Sequence, residues 1–307
     1  MDSFHITPAS LTDAQAITDL IILCDIDEYG APDIVLEDTL DILQGLDLDK
    51  DTWIVRAQGG AVIGFAFCEK QSGGRLMAYG YVHPEYKGRG IGTELLEFLE
   101  RRGGELSRSA EREDTVWRLS NVIPALNEQA RSLLLSRGYE FVRLYSRMNI
   151  QFTSAPPKPA AVEAISISPF RPGIDEHQVF KAYSDAFQDH RLYSETTEEA
   201  WLMERSGEHY DRSLWFTARE GDEVAGFLIS KNFGDHVFVD LLGVRRAYRK
   251  RGIALALLQH AFQEAYRQGI TQVLLSVDAE SPTGAHRLYK QAGMEALFQM
   301  AMYDKVI

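Results

Sequence analysis

Apolar positions along this chain recur at two different periods, and the switch from one to the other happens at matching places. Residues 75–82 alternate at the period of a strand, a turn occupies residues 83–90, and Ile91, Leu95, Phe98 and Leu99 then return at helical spacing. Further on, residues 237–244 read as a strand, 245–252 as a turn, and Ile253, Leu257, His260 and Ala261 as one face of a helix. Residues 115–120 and 273–277 then predict strands, each followed by a helix closing at a glycine, Gly138 or Gly293, and by a final strand. The entry elements agree as well. Ile6 precedes a helical pattern over 14–24, and residues 165–167 precede one over 178–187.

Between the two series lies Thr153-Ser154-Ala155-Pro156-Pro157-Lys158-Pro159-Ala160-Ala161, whose prolines disfavour helix and resist sheet pairing. This predicts a first domain over 1–152, a linker over 153–164 and a second domain over 165–307. Each half reads as α/β, with a mixed and mostly antiparallel sheet flanked by helices. The length of 307 residues agrees, being about twice a typical domain of roughly 100–200 residues.

Composition removes several classes. The chain is 45% hydrophobic and 25% charged, and no apolar run approaches the ~20 residues needed to cross a bilayer. The N-terminus lacks a basic stretch followed by an apolar run, so a cytoplasmic protein is expected. Cys24 and Cys68 lack paired spacing and read as buried thiols. The net charge of −13 lacks the cationic surface that nucleic acid needs. Acidic residues crowd positions 25–51, which suits either a solvated surface or a cationic partner.

The basic glycine turns carry the chemistry. A turn feeding a helix N-terminus presents unpaired amides and the positive end of the helix dipole, a natural seat for phosphate or pyrophosphate. Lys87 and Arg89 flank the first turn, and Arg249, Lys250 and Arg251 flank the second. A dinucleotide fingerprint fails, because the third glycine position falls on Thr93 or Leu95. A nucleotide-hydrolase loop fails too, since Gly92 is followed by Thr93-Glu94 and Gly252 by Ile253-Ala254. No nucleophile elbow is present, the histidines lack metal-ligand spacing, and no metal is expected.

Val82-x-Pro84-x-Tyr86-Lys87-Gly88-Arg89-Gly90-Ile91-Gly92 and Val244-x-x-x-Tyr248-Arg249-Lys250-Arg251-Gly252-Ile253-Ala254 both resemble the acetyl-coenzyme A loop of GCN5-related N-acetyltransferases. A second signature follows at the expected distance. It reads Ala285-x-x-Leu288-Tyr289-x-x-x-Gly293-Met294, mirrored by Asn127-x-x-Ala130-x-x-Leu133-Leu134-x-x-x-Gly138-Tyr139. The tandem layout is similar to that of the mycothiol synthase group. The resemblance implies two acyl-CoA N-acyltransferase (GNAT) folds. It also implies acetyl-CoA as co-substrate, held by Leu242, Val244, Arg249 to Ala254 and, near a family asparagine position, Ser281. In the first half the matching residues are Val82 and Lys87 to Gly92.

Acetyl transfer from a thioester to an amine asks for a base to take the amine's proton and an acid for the departing thiolate. The resemblance places the acid tyrosine at Tyr289, where the first half has Leu134, and an acidic base or relay at Asp240, where the first half has Ala78. The second half is therefore expected to be catalytic and the first noncatalytic, either a structural copy or a holder of acetyl-CoA. A tyrosine near ~10 giving its proton to a thiolate near ~8.5 faces an uphill step of about 2 kcal/mol. Alternatives stay open at each position. Tyr289 also suits a core tyrosine, Asp240 a partner of Arg245, His286 a solvent-facing residue or a relay, and Tyr139 or Tyr79 an acid in the first half. The acceptor is expected to be a small-molecule amine recognised around 187–201, with His190, Arg191, Tyr193 and Trp201; the charge balance favours a cationic one. Two other readings are acetylation of a cysteinyl thiol metabolite and noncatalytic acyl-CoA binding.

Overall fold

The computed structural model describes residues 4–71, 74–109, 116–188, 195–279 and 285–307, which form two compact units. Elements follow in chain order as β1 (Phe4–Thr7), α1 (Ala14–Tyr29), α2 (Leu36–Gln44), α3 (Leu48–Asp51), β2 (Thr52–Ala57), β3 (Val62–Gln71), β4 (Arg75–Val82), α4 (Ile91–Arg108), β5 (Arg118–Pro124), α5 (Glu128–Ser136) and β6 (Glu140–Gln151). The remainder is β7 (Ser166–Pro169), α6 (Glu176–Phe187), α7 (Glu198–Met203), β8 (Phe216–Glu220), β9 (Glu223–Asn232), β10 (His236–Val244), α8 (Ile253–Arg267), β11 (Gln272–Asp278), α9 (Ala285–Gln291) and β12 (Glu295–Val306).

In the first unit the strands lie in the order β1-β2-β3-β4-β5-β12, antiparallel except for the parallel pair β4–β5. One face packs on α4 and α5 through Leu95, Leu99, Leu119 and Leu134. The other packs on α1 and α2 through Ile17, Leu20, Leu43 and Phe65. The second unit repeats the plan as β7-β8-β9-β10-β11-β6, with β10–β11 parallel. Leu257, Phe262 and Tyr289 of α8 and α9 cover one face, and Val179, Trp201 and Trp215 fill the other with α6 and α7. Each half is thus the expected mixed sheet between helical layers.

The units do not follow the expected boundaries. The first comprises the chain up to Leu144 together with Phe298–Ile307, and the second is Tyr145–Leu297. From Tyr145 onward β6 pairs with β11, while β12 pairs with β5 from Met300 to Val306. The two final strands are exchanged. Both β5 and β11 need an antiparallel partner to satisfy their backbone groups, and either final strand meets that need. A strand pattern carries no mark of the sheet it will join. The proline-rich segment is not a free linker either: Gln259 accepts from the Ala160 amide at 2.9 Å, and Gln263 donates to the Pro157 carbonyl at 3.1 Å. Pro157 and Ala160 of this segment are thus tied to α8 by side chains of that helix.

The acidic stretch is largely spent on the fold. Asp25 accepts from the Asp33 amide, Asp51 pairs with Arg102 at 2.7 Å, and Asp27 and Glu28 hold Lys87 at 2.6 and 2.5 Å. Cys24 and Cys68 are free and buried, and burial pushes the Cys24 thiol up to about 12. Among the described residues no helix is long and apolar enough to cross a membrane, and no group of three or more His, Cys, Asp or Glu could hold a metal ion.

Candidate active site

Each basic turn is a 3-10 turn ending in a left-handed glycine that opens the long helix. Gly88 and Gly90 have φ of +78° and +88°, and Gly252 has +82°. No side chain caps α4 at Gly90 or α8 at Gly252, so both helix N-termini keep free amides for an anion. Ile91 and Ile253 anchor the helix starts in the cores. Where the first turn has Gly88, the second has Lys250, held at φ +64° with its side chain exposed. A left-handed lysine costs on the order of 1 kcal/mol.

The flanking cations are not all turned outward. Arg249 donates from Nη2 to the Ala186 carbonyl at 2.9 Å and from Nε to Val244 at 3.3 Å, which ties the end of α6 to the loop. Arg251 pairs with Glu220 at 2.8 Å. In the first unit Lys87 is taken by Asp27 and Glu28, and Arg89 lies over the Tyr86 ring at 4.8 Å. Cys24 donates its thiol to the Val82 carbonyl at 3.4 Å. In the second unit this leaves the first α8 amides and the exposed Lys250 as the groups that could meet an anion.

Tyr289 and Leu134 occupy equivalent places. Each carbonyl accepts from the amide five residues on, Met294 at 2.9 Å and Tyr139 at 3.1 Å, across the left-handed Gly293 and Gly138. Tyr289 is 9% exposed, and Leu242 and Val244 of β10 pack against the same cluster. Burial raises its phenol to about 12. It is fully protonated at neutral pH. Complete proton transfer from this phenol to a thiolate near ~8.5 would be uphill by about 3.5 pH units, roughly 5 kcal/mol. His286 is half-buried with an unpartnered Nδ1, and no relay to Tyr289 is present among the described contacts.

Asp240 sits at an irregularity in β10. Val239 pairs with Ser230 and Leu241 with Ile229, leaving Asp240 as the extra residue of a bulge. The bulge reverses the alternation. Val237 and Val239 face the α8 cluster before it, and Leu242 and Val244 face that cluster after it, while Leu241 turns to the α6 side. Simple alternation back from Val244 would bury Asp240 against α8; the bulge instead directs it to Tyr210, whose hydroxyl donates to Oδ2 at 3.1 Å. Lys231 lies 3.9 Å from Oδ1. The sequence-level partner Arg245 goes elsewhere, to Asp185 and Glu223. Tyr210 and Lys231 were not legible as site residues, because neither belongs to a motif.

Of the expected acceptor residues, Trp201 is 1% exposed and forms core with Tyr183 and Phe180. His190, Arg191, Tyr193 and Ser281 lie outside the described residues. In the first unit Tyr139 is buried beneath Lys305, its phenol raised by burial, and Tyr79 stacks on Phe67.

Comparison with known proteins agrees with this plan. The acetyltransferase (GNAT) family model matches residues 177–294, and a GNAT acetyltransferase domain model matches 49–141. A mycothiol acetyltransferase of Catenulispora acidiphila is 28% identical over 273 residues, covering 83% of this chain and 82% of the relative. Another, of Thermobispora bispora, is 28% identical over 256 residues, covering 80% and 81%. A solved GCN5-related N-acetyltransferase from Sphaerobacter thermophilus shares 34% identity with a TM-score of 0.92, over 100% of this chain and 96% of that one. A tandem GNAT protein from the clavulanic acid biosynthesis pathway has the same fold at 16% identity, TM-score 0.72, over 99% and 98%. With two such domains in tandem and a relative this similar along its whole length, the chain belongs to the GNAT family and is an N-acetyltransferase.

Proposed function

We propose that the second unit catalyses acetyl transfer from acetyl-CoA to the primary amine of a small molecule, and that the first unit does no chemistry. The observation that carries this reading is the paired asymmetry. A bulge with Asp240 and a buried phenol at Tyr289 stand in one unit; in the other the strand runs unbroken, Ala78 holds the place of Val239 so that Asp240 has no counterpart, and Leu134 stands where Tyr289 does.

In this mechanism the free amides at the start of α8, with Lys250, hold the pyrophosphate, and Leu242 and Val244 line the path of the arm that carries the acetyl group. Asp240 accepts the proton that the acceptor ammonium loses. The amine nitrogen then bonds to the thioester carbonyl carbon, and the carbon–sulfur bond breaks as the intermediate collapses. Tyr289 donates a hydrogen bond to the departing sulfur, which leaves as the CoA thiolate; the nitrogen's second proton passes through solvent to that thiolate, and Asp240 gives the first proton back to solvent.

Within the amines, the relatives' names favour a cysteinyl thiol metabolite, namely mycothiol lacking its acetyl group. Lys231 beside the single carboxylate of Asp240 argues in the same direction, since a polyamine or aminoglycoside would bring further positive charge next to it. The test is turnover of acetyl-CoA with deacetylated mycothiol, glucosamine and spermidine, following CoA release and product mass. Acetylation of the first on nitrogen, with a fall in kcat of about 100-fold in Tyr289→Phe and little change in acetyl-CoA affinity, is expected. Unchanged kcat in that variant removes the role of Tyr289, and preference for spermidine removes the cysteinyl acceptor.

A further inference from the structure

Asp240 and its two neighbours, Tyr210 and Lys231, come from three separate elements, and the neighbours meet its two carboxylate oxygens separately. Tyr210 follows α7 in a turn stapled to the end of β9: the Asn232 amide donates to the His209 carbonyl at 2.7 Å, and the Tyr210 amide donates to Gly207 at 3.0 Å. Its ring meets the buried Trp215 edge-on at 6.1 Å, and Trp215 is itself fixed by a 2.9 Å hydrogen bond from Nε1 to the Ser230 carbonyl. The Tyr210 hydroxyl therefore arrives at Asp240 Oδ2 from a rigid support. Lys231, on β9, lies 4.9 Å from the centre of the Tyr210 ring and 3.9 Å from Asp240 Oδ1, an ion-pair distance beyond that of a hydrogen bond.

Building on the reading of Asp240 as the base, we infer that Tyr210 and Lys231 are positioning residues for it. Tyr210 fixes the rotation of the carboxylate through Oδ2, and Lys231 stabilises its charge while leaving Oδ1 open to the acceptor's ammonium. A base in a bulge has lost the ladder bonds that steady a strand, so a third group must orient it. The charged groups near this cluster are Lys231 on β9 and, close to Tyr210, Arg205 and Glu204 at the end of α7. Burial and the neighbouring Asp240 raise the Tyr210 phenol, which keeps it protonated and a donor across the working pH range.

The test is a double-mutant cycle on the full chain with Tyr210→Phe, Asp240→Asn and the two combined. It reads kcat and KM for acetyl-CoA, with deacetylated mycothiol and cysteine ethyl ester as acceptors. Tyr210→Phe is expected to lower kcat about tenfold with KM for acetyl-CoA unchanged, and Asp240→Asn about 100-fold or more. The combined variant should be no slower than Asp240→Asn alone, because Tyr210 acts only through Asp240. Lys231→Met, with a smaller loss of about threefold, should be silent in the same background. Additive losses, or full kcat in Tyr210→Phe, overturn the positioning role while a slow Asp240→Asn leaves the base in place. Full activity in Asp240→Asn overturns the base itself. A wild-type enzyme that turns over neither acceptor overturns the cysteinyl-acceptor reading, and the cycle is then read with whichever of glucosamine or spermidine is acetylated. Unfolding midpoints of all variants separate a fold defect from a kinetic one.

Discussion

Strands β4 and β10 occupy the same place in the two units, each between an antiparallel neighbour and a parallel one, and they differ by one skipped residue. In β4 the ladder with β3 runs unbroken from Gln71↔Arg75 to Gly64↔Val82, so Leu76, Ala78 and Val82 all face α4 while Tyr79 and Tyr81 face α1. In β10 the bulge at Asp240 breaks that alternation and presents a carboxylate on the α6 side. Two sheets with a common plan can thus present different side chains through a single backbone irregularity. The acidic residue alone would not have been enough. The expected match of Asp240 with Ala78 is not kept by the register: Ala78 holds the place of Val239, points into the core and is wholly buried, and Asp240 is the residue the bulge adds.

The sharpest way to break this comparison is to move the carboxylate without the bulge. Ala78→Asp would bury an unpaired charge among Leu76, Leu95 and Leu119, and should destabilise the first unit by about 3–5 kcal/mol in urea unfolding. Asp240→Ala, at a partly exposed bulge, should cost under about 1 kcal/mol. Comparable losses at the two positions would mean that the bulge does not redirect the side chain.

A second pair compares the two turns. Gly252→Glu and Gly90→Glu both place an anion at a helix N-terminus with free amides. Gly252→Glu should lower acetyl-CoA affinity and turnover by about 10- to 100-fold, whereas Gly90→Glu should leave turnover within about twofold. Calorimetry with acetyl-CoA also counts sites: loss of a second, silent site in Gly90→Glu would make the first unit a cofactor holder rather than a structural copy.

The smallest effect concerns acid. Burial opposes ionisation of Glu100, but hydrogen bonds from Arg137 and from Lys305 on β12 outweigh it and lower its carboxyl. In the second unit burial likewise opposes Asp175, and hydrogen bonds from Arg171 with the charge of Arg219 outweigh it. A carboxyl lowered on folding contributes stability that is complete above its unfolded value, near ~4, and is lost as pH falls through the folded one. Melting temperatures should therefore drop below about pH 4. Glu100→Gln should flatten that drop for the first unit alone, since an amide at this position does not titrate and the pH-dependent pairing with Arg137 and Lys305 is gone.

Much of the fold was legible because its determinants are local. The periods of β4, α4 and α8, the glycines at positive φ, and the turn that feeds a helix are all written within a few residues of where they act. The site was legible in part for the same reason: Tyr289 is marked by Leu288 before it and Gly293 after it, and the match with Leu134 reappears in the backbone hydrogen bonds. The exchange of β6 and β12 was not legible. Antiparallel pairing is decided by which backbone groups are left open, and an alternating strand fits either sheet. Nor were Tyr210 and Lys231, which lie 30 and 9 positions from Asp240 and become its neighbours only when β9, β10 and the turn after α7 assemble. By itself the sequence determined the two-domain plan, the basic glycine turns that open α4 and α8, and the half with a tyrosine where the other has Leu134. Only the tertiary structure decided which way Asp240 faces and what orients it, because a bulge is a property of a pair of strands and a carboxylate's attitude is set by partners far away along the chain.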